Sequence, residues 1–203
     1  MENFGWTFEI FRIRTGADVS NLTLPDNFSR QVPPGDDLER DVCDTCGFIN
    51  YANPKLVAGA VVADADGKIL LCRRAIDPRD GYWTLPAGYM ELNETPAQGA
   101  AREAREEANA KIEILSLLAV YSITRLSQVQ LIYHARLADP QISPGLESRE
   151  VGLFAWENIP WSDLAFPSVH WALNHYKEIK DLAEFPPFTN PQGETGDTLP
   201  QGI

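Results

Sequence analysis

The stretch that decides the fold is Gly88–Ala110, which reads Gly-Tyr-Met-Glu-Leu-Asn-Glu-Thr-Pro-Ala-Gln-Gly-Ala-Ala-Arg-Glu-Ala-Arg-Glu-Glu-Ala-Asn-Ala. Thr95 is a natural helix N-cap, and Gln98, three residues later, completes a capping box. Pro96 suits the first helical position. No residue after Pro96 breaks the helix until Asn109, which can adopt the left-handed conformation that ends a helix. The sequence therefore predicts a loop followed by one well-defined helix.

The predicted helix carries three glutamates on one surface. Glu103 and Glu107 are four residues apart and Glu106 follows Glu103 by three, so helical spacing makes them neighbours. In an arbitrary glutamate-rich helix such a cluster is usually a solvated face. Here a glycine loop with two further glutamates precedes the helix, and arginines are interleaved with the acids. Oxygen ligands gathered without His or Cys suit Mg²⁺ or Mn²⁺, which can also grip a phosphate chain.

The spacing resembles the signature of the Nudix family, Gly-x5-Glu-x7-Arg-Glu-(apolar)-x-Glu-Glu-x-Gly-(apolar). The matching positions are Gly88, Glu94, Arg102, Glu103, Ala104, Glu106, Glu107 and Ala110. One position departs, because Asn109 stands where the family has a glycine. Asparagine is the next-best residue at a helix C-terminus, so it can end the helix where the family has glycine. This many fixed positions at fixed spacing make the motif highly specific.

Composition limits the class of partner and the compartment. The net charge of −12 argues against a nucleic-acid backbone or an anionic membrane as partner. No stretch approaches the roughly 20 apolar residues of a membrane span, and the first residues do not resemble a signal peptide. Three cysteines are poor material for a disulfide framework. We therefore expect a cytoplasmic protein that captures a negatively charged substrate through a metal and a few arginines or lysines.

Residues 1–50 are predicted to form a small zinc-ribbon-like segment that has lost its metal. Cys43–Cys46 has the shape of a metal knuckle, but zinc needs about four ligands and no second pair lies nearby. Some Nudix hydrolases carry an N-terminal zinc ribbon, and the turn Pro33–Asp36 and the entry Tyr51–Lys55 resemble it. The best match to the first knuckle of that ribbon is Phe11–Gly16, where an arginine and a threonine replace the thiolates. The ribbon is thus degenerate, and zinc is not expected.

Residues 51–185 carry the strands and helices of the main domain. Apolar and β-branched runs predict strands over 56–63, 68–72, 112–124, 129–137 and 151–156. The first two are predicted to form a hairpin, and amphipathic spacing predicts a last helix over Ser168–Ile179. A stripe of alanines lets the helix of the motif pack close to a sheet. These elements predict an α/β fold, in agreement with the α/β/α sandwich and mixed sheet that the Nudix resemblance implies. Residues 186–203, with their prolines and glycines, are predicted to be a flexible tail.

The Nudix resemblance also implies roles for residues of the motif. The metal, Mg²⁺ or Mn²⁺, would be held by three carboxylates and one backbone carbonyl: Glu103, Glu106, Glu107 and the carbonyl of Ala87. Glu106 and Glu107 would thereby act in catalysis. Gly88 would have a structural role, and Glu94 and Arg102 would form an ion pair that ties the loop to the helix.

Outside the motif, each assignment has an alternative in which the residue has no functional role. A general base in this family often lies on a later loop, where Glu147 and Glu150 are the candidates, with Glu150 slightly preferred. Arg73 and Arg74 lie on opposite faces of one strand, and one of them is expected beside the substrate phosphates. The alternative is that the glutamates of the loop and the arginines of the strand are ordinary surface charges. Three aromatic residues could stack on an adenine or could be core groups: Tyr51, Tyr82 and Tyr121. Of these, Tyr121 is predicted to contact the substrate.

The family cleaves a nucleoside diphosphate linked to another moiety, by attack of water on phosphorus. The degenerate ribbon, the Tyr51–Lys55 entry and Leu164–Phe166 resemble the ADP-ribose and FAD pyrophosphatases, which implies release of AMP. Cleavage of NADH is not expected, because Ser127-Gln128 is followed by Val129 rather than the Pro-Trp-Pro-Phe-Pro of the NADH-cleaving branch. The alternatives are a nucleoside triphosphate clean-up enzyme and a non-catalytic ligand sensor, although sensors typically lose glutamates of the motif. The resemblance further implies a homodimer.

Overall fold

The computed structural model describes residues 25–197. The chain divides after Tyr51 into two compact units. In the described range, no helix is both long and apolar enough to cross a membrane. The predicted match of Phe11–Gly16 to a first knuckle lies outside the described residues, as do residues 198–203 of the predicted tail.

The first unit contains a three-stranded antiparallel sheet of β1 (Phe28–Gln31), β2 (Arg40–Cys43) and β3 (Ile49–Asn50). At the turn before β2, the Arg40 guanidinium donates to the Asp36 carboxylate at 2.9 Å and lowers the pKa of Asp36 to about 2. The Asn27 amide donates to the sulfur of Cys43 at 3.3 Å. Cys43 and Cys46 are not joined by a disulfide, and hydrogen bonds and ion pairs connect the strands in the described part of this unit.

The second unit contains a mixed sheet and two long helices. Its elements are β4 (Lys55–Ala63), β5 (Ile69–Arg74), β6 (Trp83–Thr84), β7 (Ala87–Tyr89), α1 (Pro96–Ala108), β8 (Ile112–Ile123), β9 (Gln128–Leu137), β10 (Ser148–Phe154) and α2 (Pro167–Ile179). The main strand order is β10-β5-β4-β9-β8, with β6 beside β5 and β7 beside β4. Only β4 and β9 run parallel among these named strands, and the other pairs are antiparallel.

The predicted β4–β5 hairpin is present only at its turn. The two strands pair at Ala63 and Ile69 and then diverge. Beyond that point β7 takes the place beside β4, at Val57–Gly59, while β6 pairs with the far end of β5. The divergence brings the glycine loop of the motif into the sheet, directly beneath α1.

The two helices cover opposite faces of the sheet. On one face, the alanines of α1, including Ala100, Ala104 and Ala108, are fully buried against residues of β4, β5 and β9. On the other face, α2 buries Trp171 and Leu173 against β8 and the neighbouring strands. Because alanine side chains are short, α1 lies very close to the sheet. The predicted α/β/α sandwich with a mixed sheet is confirmed.

The chain after α2 differs from the flexible tail that its composition predicted. Phe188 pairs with the edge strand β8 through backbone hydrogen bonds to Leu118 and Val120, both at 2.9 Å. Its ring stacks on the His175 ring at 4.1 Å between centroids. Further along, the Asn190 side chain accepts a hydrogen bond from the Ser122 N–H and donates one to the Ser122 carbonyl. Proline and glycine predicted a loop, but the apolar rings and the open edge of β8 dock that loop onto the domain.

The segment that follows α2 and docks onto β8 through Phe188 is expected to stabilise the domain. We expect Phe188→Ala to lower the free energy of unfolding by about 2 kcal/mol, less than for a fully buried phenylalanine, because the ring is half-buried. Leu182→Ala, at an exposed side chain of the same segment, should change it by less than about 0.5 kcal/mol. Urea unfolding followed by tryptophan fluorescence measures both. Equal effects of the two variants would contradict the docking.

Candidate functional site

The ends of α1 are built as the sequence predicts. The Thr95 hydroxyl accepts the Gln98 backbone N–H at 3.3 Å, and the Gln98 side chain accepts the Thr95 N–H at 2.8 Å. The helix ends at Asn109, whose φ of 47° and ψ of 25° are left-handed. These caps fix which residues face the sheet, and they turn Glu103 and Glu107 toward β7.

The close approach of β7 to α1 requires glycine. An added Cβ at Gly88 would overlap the Glu103 carboxylate, so a larger residue would push this side chain out of place. An added Cβ at Gly59, on the neighbouring strand, would overlap Ala87. The glycine that opens the motif therefore acts by leaving room for a carboxylate.

Two carboxylates of α1 are consequently buried. Glu103 is 8% exposed and Glu107 is 6% exposed. Burial, reinforced by the Glu103 charge, raises the pKa of Glu107 from 4.5 to about 8, although the Ala87 N–H donates to its carboxylate at 3.2 Å. Burial also raises the pKa of Glu103, against the hydrogen bond that Glu103 accepts from Arg102. Two poorly solvated carboxylates thus lie side by side, and a cation at this place would be strongly favoured.

Arg102 links the helix, the loop and β7. Its Nη1 lies between the carboxylates of Glu103, at 2.7 Å, and Glu106, at 2.9 Å. Its other nitrogens make a two-pronged contact with Glu94, at 2.9 and 3.0 Å, and reach the Tyr89 carbonyl at 2.9 Å. The hydrogen bond from Arg102, together with the Glu91 N–H, lowers the pKa of Glu94 to about 2. The Arg102 guanidinium therefore joins the loop and β7 to the carboxylates of α1.

The donor set fits a hard divalent cation. Within residues 25–197 no three acidic, His or Cys groups already converge on one point, and the Arg102 guanidinium fills the space between Glu103 and Glu106. The single positive charge of Arg102 also pairs with Glu94. It therefore balances only part of the negative charge of the helix carboxylates. Mg²⁺ keeps several waters and takes few protein ligands, so an open set of carboxylates suits it.

The two glutamates of the later loop lie in different surroundings. Burial is the main cause that raises the pKa of both Glu103 and Glu107, and the charge of Glu147 on the later loop adds to it. Glu150 lies opposite Arg73 on the adjacent strand and forms an exposed ion pair with it at 3.4 Å. Glu150 is therefore paired with an arginine, whereas the charge of Glu147 reaches the buried carboxylates.

The two arginines of β5 also differ. Arg73 is exposed, and it donates to the Gly81 carbonyl at 2.9 Å besides its contact with Glu150. Arg74 is half-buried, lies over the Phe166 ring at 5.3 Å, and its charge opposes the rise in the pKa of Glu107 that burial causes. Arg74 is thus the arginine on the side of the buried carboxylates.

The prediction that Tyr121 contacts substrate is wrong. Its side chain is fully buried beneath α2, and its hydroxyl bonds the Nδ1 atom of His175 at 2.7 Å. Its ring packs edge-on against Trp171 at 5.3 Å. Strand alternation places Tyr121 on the α2 face of the sheet, whereas Glu103 and Glu107 lie on the α1 face.

One part of the site was not predicted from the sequence. The Asn109 side chain donates to the backbone carbonyls of Ser143 and Pro144 and to the Ser143 hydroxyl, at 3.1 to 3.3 Å. Gly145 follows, and its N–H donates to the Glu107 carbonyl at 2.9 Å. The departure of Asn109 from the motif was the available signal, but the residue was interpreted only as a helix cap.

The raised pKa of Glu107 predicts an unusual stability profile for the metal-free protein. Between pH 4.5 and about 8 the folded state holds a proton at Glu107 that the unfolded state has lost, so stability falls by up to about 1.4 kcal/mol per pH unit as the pH rises. Glu107→Gln removes this loss. In EDTA we expect the variant to have a higher Tm than the native protein at pH 8 and a similar Tm at pH 5.

The matched control is Glu113→Gln, at an exposed strand glutamate that pairs with Arg136. It should show no gain in Tm that grows with pH. A Glu107→Gln protein that is no more stable than the native chain at pH 8 would contradict the buried, unfavourable charge.

Comparison with known proteins agrees with this geometry. Residues 53–179 match the family model of the NUDIX domain, and residues 26–52 match the model of the Nudix N-terminal zinc ribbon. An ADP-ribose pyrophosphatase of Methanocaldococcus jannaschii is 30% identical over 135 residues, which cover 64% of this chain and 74% of that protein. A MutT-like protein of Streptomyces ambofaciens is 42% identical over 80 residues, 39% of this chain and 49% of that protein.

Among solved structures, a NUDIX hydrolase from Nitrosomonas europaea superposes with a TM-score of 0.74 at 46% identity, covering 80% of this chain and 93% of that one. The domain match covers more than half of the chain and includes the whole acidic helix. The chain therefore belongs to the Nudix hydrolase family.

Proposed function

We propose that this hydrolase cleaves the pyrophosphate of a nucleoside diphosphate linked to another moiety, with ADP-ribose or FAD as substrate and AMP as a product. The observation that carries the proposal is the buried, undercompensated carboxylate pair Glu103 and Glu107 beneath the glycine loop. A cation bound at such a pair would relieve the repulsion between the carboxylates and could also bind a phosphate chain. The net charge of −12 means that this capture has to be local.

The glutamates of α1 and one backbone carbonyl of β7 would hold the metal. Glu103, Glu106 and Glu107, with the backbone carbonyl of Ala87, offer only oxygen ligands, which suit Mg²⁺ or Mn²⁺. A bound divalent ion neutralises charge on the phosphoryl oxygens and lowers the pKa of coordinated water. Glu94 and Arg102 hold the loop on the helix and so keep these ligands in register.

The groups that act on the reacting atoms lie around this centre. The Glu147 carboxylate accepts a proton from water as the water oxygen forms a bond to phosphorus. The bond from that phosphorus to the bridging oxygen breaks, and the departing phosphate takes the electron pair. Arg74, whose charge reaches Glu107, would attract the negative charge of the phosphates. Glu147 is preferred to Glu150 as base because Glu150 is paired with Arg73.

The substrate class rests on relatives and on the residues around the motif. The archaeal relative is named an ADP-ribose pyrophosphatase, and its alignment spans most of both chains. The alignments span from about half to three quarters of the length of these relatives, so the activity of the whole protein is proposed and not transferred. A cytoplasmic location and a homodimer, both expected from the sequence, stay predictions.

The proposal predicts a defined set of products. With Mg²⁺, ADP-ribose should give AMP and ribose 5-phosphate, and FAD should give AMP and FMN. Glu107→Gln should lower kcat on the order of 100-fold, because a ligand of the metal is lost. Glu113→Gln, remote and exposed, should retain the activity of the native protein. Liquid chromatography of the products measures both.

The same assay separates the alternatives. Inorganic pyrophosphate from a deoxynucleoside triphosphate, without turnover of ADP-ribose or FAD, would make the protein a triphosphate clean-up enzyme. Tight binding of ADP-ribose without products would make it a ligand sensor. Either result would overturn the proposed substrate class.

A further inference from the structure

The loop that carries Glu147 is fastened to the end of α1 by a clamp of side-chain and backbone hydrogen bonds. The Asn109 amide shares its hydrogens among the Ser143 carbonyl, the Ser143 hydroxyl and the Pro144 carbonyl. Beside it, the Ser143 N–H donates to the Ala108 carbonyl at 2.9 Å. The loop therefore closes on the last turn of the helix that bears the acidic cluster.

The clamp continues directly toward Glu147. The Gly145 N–H donates to the Glu107 carbonyl, and an added Cβ at Gly145 would overlap the Glu106 carbonyl oxygen. On the other side, the Ala75 N–H donates to the Glu147 carbonyl at 2.8 Å. The backbone of Glu147 is thus fixed between the end of α1 and the end of β5.

We propose that Asn109 is a positioning residue, whose side-chain amide holds the loop on the end of α1 and thereby sets the position of Glu147. The proposal rests on the function proposed above, in which Glu147 takes the proton from water. It gives a reason for the departure from the family signature at this position. Glycine would end the helix equally well, but it has no amide with which to hold the loop.

The conformation of Asn109 makes the amide separable from the helix cap. Its φ of 47° is one that glycine adopts without strain, and its backbone N–H bonds Ala104 and Arg105 whatever the side chain is. Asn109→Gly therefore deletes the amide and keeps the cap. The carbonyls released at Ser143 and Pro144 lie at an exposed part of the surface, where water can bond them.

A matched control lies at the other end of α1. Asn93 is also left-handed, with φ of 68°, and also exposed, but it lies on the loop before the helix. Asn93→Gly makes the same chemical change away from the clamp. A general effect of replacing left-handed asparagine with glycine would appear in both variants.

The test is a double-mutant cycle of Asn109→Gly and Glu147→Gln, with ADP-ribose and Mg²⁺. We expect Asn109→Gly to lower kcat about tenfold with little change in KM and Tm. In the Glu147→Gln background the same change should have no further effect, because the positioned group is already gone. Asn93→Gly should behave like the native protein. An Asn109→Gly effect of equal size in both backgrounds, or a loss of Tm without a loss of kcat, would overturn the proposal.

A second readout does not depend on turnover. In amide hydrogen exchange, Asn109→Gly should speed exchange of the Gly145 and Ser143 N–H groups about tenfold, leaving the middle of α1 unchanged. Unchanged protection at these amides would overturn the positioning role even in a protein that cleaves nothing. If the native chain turns over none of the substrates and the amides are still released, the function proposed above fails and the clamp stands.

Discussion

The rest of the structure depends on keeping two carboxylates buried between α1 and β7. Glu103 and Glu107 lie there because Gly88 leaves room for a carboxylate and because the alanines of α1 bring the helix close to the sheet. Burying carboxylates next to each other is unfavourable, and burial raises the pKa of Glu107 to about 8. A domain that maintains such an arrangement is less stable for it, and the proposed function gives the arrangement a purpose, because a bound cation would relieve the repulsion.

Arg102 makes the arrangement possible in the absence of metal. Its guanidinium contacts carboxylates of the loop and of the helix, so it compensates part of the acidic charge and fixes the loop at the same time. The planar, multiply donating guanidinium can do this where an ammonium could not. Because Arg102 lies between Glu103 and Glu106, a divalent ion held by these carboxylates would have to share them with Arg102 or displace it. Arg102 would then take part in the binding equilibrium as well as in the fold.

Local sequence patterns predicted the features that depend on residues close together in the chain. The capping box, the left-handed end at Asn109 and the facing of Glu103 and Glu107 follow from residues a few positions apart. The sequence did not predict contacts between distant residues. Asn109 and Ser143 are 34 residues apart, and Tyr121 and His175 are 54 apart. The order of the strands decides which helix covers Tyr121 and which glutamate of the later loop lies near the buried carboxylates. That order cannot be read from the spacing of apolar residues.

The most direct test of the buried-carboxylate account is the number of protons released when Mn²⁺ binds. Calorimetric titration near pH 7, in buffers of different ionisation enthalpy, measures this number. The account predicts release of a large fraction of one proton per metal, because the pKa of Glu107 lies near 8 before the ion arrives. It also predicts that Glu107→Gln binds Mn²⁺ more weakly and with almost no proton release. Binding without proton release in the native protein, or the same release in the variant, would contradict the claim that the site is built on a buried, protonated glutamate.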